Sequence, residues 1–234
     1  MKSTVEQIRE RFDNDVERFS HLEIGNAAQV DSVLSLELIA EAAAAANPAA
    51  QALLDIGCGA GNYSLKVLGN LPTLDVTLTD LSQPMLERAL LRVSGATSGR
   101  VRTIQADIRE IDLGETCYDI IVASSVFHHL RTDDEWRSVF FKLHRALKPD
   151  GTIWIFDLIQ HIMPEIEHRM WERYGRYLAG VKDEAYREHV FSYIAQEDTP
   201  KPLTYQLDLL RAAGFRETEV LHKNVSFAAF GARK

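Results

Sequence analysis

Hydrophobic residues recur along this chain in two rhythms, and the alternation between them lays out the fold. Ala52-Leu53-Leu54-Asp55-Ile56, Asp75 to Thr79, Val101 to Ala106, Tyr118 to Ala123 and Thr152 to Phe156 are short apolar or alternating runs that predict five strands. Between them the apolar residues fall at helical spacing. A helix runs from Asn62 to Leu68, and a second opens at Ser82-Gln83-Pro84 and continues through Met85, Leu86, Ala89 and Leu90. A third follows the capping box Thr132-Asp133-Asp134-Glu135 and continues through Trp136, Phe140, Leu143 and Leu147, after which Lys148 to Gly151 read as a turn. Strands alternating with helix-length connections predict an α/β, doubly wound sheet that is mostly parallel.

The flanks follow other patterns. Val5, Ile8, Phe12, Val16 and Phe19 make one apolar stripe, so an amphipathic helix is expected to end near His21 to Gly25. A second helix starts at Asp31, whose carboxylate caps it, and stops at Asn47-Pro48. Both pack on the sheet edge, unless the first is a lid over the turn after strand one. Residues 158–200 are helical in pattern and rich in large side chains. Leu203 to Ala213 form a helix ending at Gly214, and a hairpin closes the chain with strands Glu217 to Leu221 and Val225 to Phe230 around Lys223-Asn224. One domain is expected: 1–50 N-terminal helices or lid, 51–157 ligand-binding core, 158–200 helical insert, 201–234 last helix and hairpin.

Composition narrows the partners. With 234 residues and 46% apolar content the chain can bury a large core. A formal charge of −8 and the lack of a basic run disfavour nucleic acid, whose phosphates call for clustered Lys and Arg. Cys58 and Cys117 build neither a disulfide framework nor a CxxC site, which points to a cytoplasmic protein. No stretch approaches the ~20 apolar residues of a membrane helix, and the first residues carry no signal-peptide core. A homodimer is left open.

The candidate chemistry sits in the turn after strand one. Gly57, Gly59 and Gly61 alternate with Cys58 and Ala60 before a helix. Glycine accepts positive φ and lets a ligand lie on the backbone, while a helix start directs unpaired N–H groups at it. A dinucleotide fingerprint needs G-x-G-x-x-G, and here the third glycine comes one position early, with Asn62 where glycine is required. Asp55, Asp80 and Asp107 accompany the first three strands toward the carboxyl edge, where open α/β sheets bind ligands. Asp80 is placed to accept from both hydroxyls of a ribose, as in sites for NAD and for S-adenosylmethionine. The three acids together suit a ribose, an adenine amine and a cationic amino-acid end, and Asp55 would repel a pyrophosphate.

As an ordered set, Leu54 to Gly61, Asp80 with Met85, Ala106-Asp107-Ile108, Tyr118 to Val122 and Leu147 to Gly151 resemble the successive motifs of class I S-adenosylmethionine-dependent methyltransferases over residues 52–157. The resemblance implies a Rossmann-like sheet of seven strands with the last antiparallel. It implies S-adenosyl-L-methionine as cofactor, S-adenosyl-L-homocysteine as product, and a small-molecule methyl acceptor. By it, the turn of Asp55, Gly57, Cys58, Gly59 and Gly61 holds the methionine part and Asp80 the ribose. Asp107 meets the adenine amine with Ile108 against the ring, Ser124 lies near the reacting centre, and Leu81 and Met85 complete the set. Phe12-Asp13 with Val16, and Phe227 to Gly231, are similar to carboxy-S-adenosylmethionine synthases of tRNA modification, although Ile24-Gly25-Asn26 stands where that family has Pro-Gly-Tyr. A tRNA-modifying enzyme, a non-catalytic binding module and an NAD oxidoreductase remain as alternatives.

Methyl transfer from a sulfonium asks chiefly for in-line approach and exclusion of water, so catalytic residues leave little signature. His128, next to His129 after strand four, is a candidate base, set against a packing role for both. Cys58 reads as filler between glycines. Asp55 either meets the cofactor or accepts a loop hydrogen bond, and Asp157 either serves the acceptor or caps a strand end. Trp171, Tyr174 and Tyr177, with His161, form an acceptor pocket or the insert's own core. His161 and His168 are too far apart for one helical turn, and no cluster shows metal spacing.

Overall fold

The computed structural model describes residues 2–21, 25 and 27–234. Its sheet has seven strands in the order β3-β2-β1-β4-β5-β7-β6. They are β1 (Ala52–Ile56), β2 (Asp75–Asp80), β3 (Val101–Gln105), β4 (Tyr118–Ser124), β5 (Leu147–Leu158), β6 (Glu217–Asn224) and β7 (Phe227–Arg233). The first five run parallel, and β7 is antiparallel to both β5 and β6. The doubly wound sheet with an antiparallel last strand is therefore present. Its strand order reverses at β1, between β2 and β4, and such a switch point opens a crevice at the carboxyl ends of the strands.

Side chains alternate across the sheet and bury two apolar layers. Leu53, Val76, Leu78, Ile120, Val122 and Phe156 join one layer with α3 (Ser32–Ala46), α4 (Asn62–Asn70) and α5 (Gln83–Ser94). Leu54, Ile56, Ile121, Ile153 and Ile155 join the other with α6 (Asp133–Ala146) and α9 (Leu203–Ala213). The insert is a helix pair, α7 (Pro164–Val181) and α8 (Glu184–Glu197), which packs onto the first layer through Tyr174, Leu178, Val190 and Ile194. Among the described residues no helix is long and apolar enough to cross a membrane.

Several local expectations change. The N-terminal stripe is not one helix but two, α1 (Val5–Asp13) and α2 (Val16–Ser20). They part at Asn14-Asp15, where the Asn14 side chain bonds back to the Glu10 carbonyl at 2.8 Å and the Asp15 carboxylate turns to Arg18 at 2.6 Å, local bonds that compete with helix continuation. Of the expected helix end, Leu22 to Ile24 lie outside the described residues, as do Ile24 and Asn26 of the segment set against Pro-Gly-Tyr. Asp31 precedes α3 but does not cap it. Its φ is +56°, and its carboxylate accepts instead from His222 Nε2 and Asn224 Nδ2, both at 2.8 Å, so partners across the chain replace the helix N–H. Tyr118 pairs with Leu147 and Ile120 with Thr152, so Lys148 to Gly151 bulge out of β5 rather than preceding it. β3 stops at Gln105, one residue early, and the hairpin turns at Val225-Ser226 because β6 continues to Asn224. The Ser82 cap and Gly214, at φ +110°, stand as read.

Candidate functional site

The turn after β1 holds Gly57, Gly59 and Gly61 at φ +60°, +50° and +83°. Their reasons for being glycine differ. A Cβ on Gly59 would meet no atom within 4 Å, whereas one on Gly57 would stand 2.3 Å from Val126 Cγ2 and one on Gly61 2.9 Å from Val93 Cγ2. Gly59 thus leaves bare backbone against open space, while the other two admit close packing. Asp80 supports the turn from the end of β2, its Oδ2 accepting the Gly59 N–H at 2.8 Å and its Oδ1 the Ser82 N–H at 2.9 Å.

Open space beside Gly59 belongs to a cavity of about 610 Å³ at the switch point. Asp55, Gly57, Cys58, Gly59, Asp80, Leu81, Met85, Asp107, Ile108 and Ser124 all line it, and Gly61 does not. Asp55 lies beneath the turn and gives Oδ2 to the N–H and hydroxyl of Ser64 at 3.2 and 2.6 Å, so it accepts a helix-start bond and also faces the cavity. Burial lifts its carboxyl to about 7 and raises Asp80 as well. Burial, then Asp80 and Asp55, push the Cys58 thiol well up, which suits filler rather than a thiolate nucleophile. Asp107 is not a free acid. Against the effect of burial, the Arg109 side chain and N–H hold it below the usual carboxylate value, in an ion pair whose Oδ1 takes Arg109 N and Nε, both at 2.9 Å.

The insert supplies a wall, but largely through other residues than the sequence singled out. Tyr174 lines the cavity; His161, Trp171 and Tyr177 do not. Tyr177 donates to the Ala27 carbonyl at 3.0 Å, and Trp171 Nε1 and the His161 N–H both reach Glu167 at 2.8 Å. Tyr186, His189 and Tyr193 of α8 line it instead. Their spacing of roughly one helical turn is the signal that could have found them, in a helix whose apolar residues show no single stripe. Phe12, Phe19, Arg11 and Arg18 form the wall over the glycine turn. They are pinned by Asn62 Nδ2 donating to the Phe19 carbonyl at 3.0 Å and by Arg11, which meets both carboxylate oxygens of Glu197 at 3.0 and 2.6 Å.

At the far end of β4 a short 3₁₀ turn, Phe127–His129, presents two imidazoles. Of the two roles weighed for Asp157 the structure shows the cap, and Asp157 does not line the cavity. It caps the local backbone, taking the Phe127 N–H at 2.9 Å and the Leu158 N–H at 2.8 Å, and it bonds His128 Nδ1. Burial alone would lower the His128 pKa, but the Asp157 and Asp198 carboxylates more than offset it and take it to about 9. Burial, then the neighbouring His128, lower that of His129. Asp198, directly after α8, reaches both rings: its Oδ1 is 3.1 Å from His129 Nδ1 and 3.7 Å from His128 Nε2. The Thr199 N–H bond to the His128 carbonyl, at 2.6 Å, clamps this approach. Chain separation hides the grouping from any reading of spacing.

Comparison with known proteins agrees with this architecture. A methyltransferase domain family matches residues 54–153. A carboxy-S-adenosyl-L-methionine synthase of Wolinella succinogenes is 30% identical over 208 residues, covering 86% of this chain and 84% of the relative. An uncharacterised methyltransferase of Mycobacterium tuberculosis is 27% identical over 121 residues, 52% of this chain; the match spans 56% of that relative, so the chain accounts for about half its length. The 1,6-didemethyltoxoflavin N1-methyltransferase of Burkholderia thailandensis, solved with S-adenosylhomocysteine, shares the fold at TM-score 0.66 and 18% identity, covering all of this chain and 91% of that one. Sequence identity carried nearly end to end, on a sheet of this order with its glycine turn at the switch point, means that the chain belongs to the class I S-adenosylmethionine-dependent methyltransferases.

Proposed function

We propose that the chain transfers the methyl group of S-adenosyl-L-methionine to a small-molecule acceptor. The observation that carries this reading is a single cavity running from the glycine turn and Asp80 to the wall of Tyr174, Tyr186, His189 and Tyr193. Its volume of about 610 Å³ suits a small-molecule site. The residues fit the donor. Gly59 offers backbone that no side chain covers, and Asp80 has lone pairs beyond those used by Gly59 and Ser82 for ribose hydroxyls. Asp55 would lie under the cationic amino-acid end, and Ile108 and Met85 offer apolar surface to the adenine, with Asp107 sharing its acceptor capacity between Arg109 and the adenine amine.

When bound, the donor supplies a methyl group already activated on a sulfonium. The chain's part is to hold, orient and desolvate: its aromatic wall and N-terminal helices exclude water, and proximity in one cavity replaces a bimolecular encounter. Calorimetric titration with S-adenosyl-L-methionine and S-adenosyl-L-homocysteine should give saturable binding of both, and no binding of either overturns the reading. A second reading, a carboxy-S-adenosylmethionine synthase, is favoured by the Wolinella succinogenes relative, whose match covers most of both chains. The mass of the ligand that copurifies separates the two: a carboxylated donor supports the synthase, the unmodified donor or its demethylated product the methyltransferase.

A further inference from the structure

We propose that His128, His129 and Asp198 form a binding site for one divalent transition-metal ion at the acceptor end of the cavity. The first support is geometric. His129 Nδ1 and His128 Nε2 lie 3.1 and 3.7 Å from Asp198 Oδ1. One ligand atom from each residue falls within 4.8 Å of the others. Nitrogen and oxygen ligands ~2.0–2.2 Å from a shared ion stand ~3–3.5 Å apart, so small side-chain rotations complete the set.

The second support is polar satisfaction. His129 Nδ1 and Asp198 Oδ1 are both buried, face each other, and yet neither has an aligned hydrogen-bond partner. Buried polar atoms are almost always paired, and an ion between these two satisfies both at once. The third is the surrounding shell. Asp157 binds His128 Nδ1 and so aims Nε2 toward Asp198, the carboxylate–histidine–metal arrangement that orients ligands in metal sites. Asp157 and Asp198 are also two buried carboxylates facing His128, and a divalent cation that displaces the proton from His128 Nε2 takes over the balancing of their charge.

Two imidazoles and one carboxylate suit Zn²⁺, Co²⁺ or Fe²⁺, whereas Mg²⁺ and Ca²⁺ prefer oxygen throughout. All three residues line the cavity, so the coordination positions they leave open face the acceptor space. An acceptor presenting a hydroxyl or carboxylate oxygen fits there, a clause that rests on the methyl-transfer reading.

The test uses the untagged full chain, stripped with chelator and titrated with Zn²⁺ by calorimetry, with Co²⁺ absorption as the spectroscopic probe of the ligand set. One equivalent of Zn²⁺ per chain is expected, with His129→Gln and Asp198→Asn each weakening it by at least ~100-fold. Far-UV circular dichroism checks that both variants keep the fold, and His129→Gln, at the cavity surface, keeps the test decisive if Asp198→Asn does not. Absence of saturable Zn²⁺ binding by the unaltered chain, or folded variants that bind as it does, overturns the proposal. Titrating S-adenosyl-L-methionine into the same samples separates the two claims: donor binding without Zn²⁺ removes the metal site alone, and Zn²⁺ binding without donor removes the donor reading alone.

Discussion

Replacing Asp55 by asparagine probes the electrostatics of the turn on which the site is built. The carboxyl is only 2% exposed, and its Oδ2 takes two donors from Ser64 that an amide oxygen in the same place would keep. Burial is the main reason its pKa rises from 3.8 to about 7, with Asp80 adding to it. The folded value lies above the unfolded one, so between 3.8 and about 7 the native state binds more protons, and stability falls as pH rises through that window. At ~1.4 kcal/mol per pKa unit, the ionisable group costs on the order of 2 kcal/mol at pH 5 and ~4 kcal/mol above pH 7. Asparagine removes this dependence and leaves every other titrating group in place. Urea denaturation of both proteins from pH 5 to 8 should therefore show the variant gaining ~2–3 kcal/mol on the wild type across the range. A stability difference that stays flat with pH would refute the reasoning and mean that Ser64 keeps the carboxylate ionised throughout.

Asp80→Asn should weaken S-adenosyl-L-methionine binding by ~10–100-fold in calorimetry, the loss of a charge-assisted acceptor, and unchanged affinity would count against Asp80 as the ribose partner. Gly57→Ala places a Cβ 2.3 Å from Val126 Cγ2 at φ +60° and should cost ~1–3 kcal/mol in thermal denaturation. The double variant Gly57→Ala with Val126→Ala should recover the steric part only, and full recovery would show that the backbone conformation carries no strain. Glu197→Gln removes the charge opposite Arg11 and should loosen the N-terminal wall by ~1–2 kcal/mol, read as faster hydrogen exchange over residues 5–13; unaltered exchange there would show that the pair does not hold the helix.

What the sequence determined by itself is the core between residues 52 and 157. Each strand there except the partly exposed edge strand β3 is apolar enough to be buried, each helix carries its own cap or apolar stripe, and right-handed crossovers bring successive carboxyl ends to one edge. That is why Gly57, Asp80 and Asp107 could be assigned to one site from spacing alone. Tertiary structure decided what depends on partners distant in the chain. The carboxylate of Asp31 finds His222 and Asn224 rather than a helix N–H. Tyr174 reaches the cavity while Trp171 and Tyr177 turn elsewhere, and Asp198 comes to His128 and His129 only because α8 folds back over the 3₁₀ turn. Periodicity states which residues want burial, but it does not state against what, because the free energy of a buried polar or aromatic side chain is set by the particular groups that three-dimensional packing places around it.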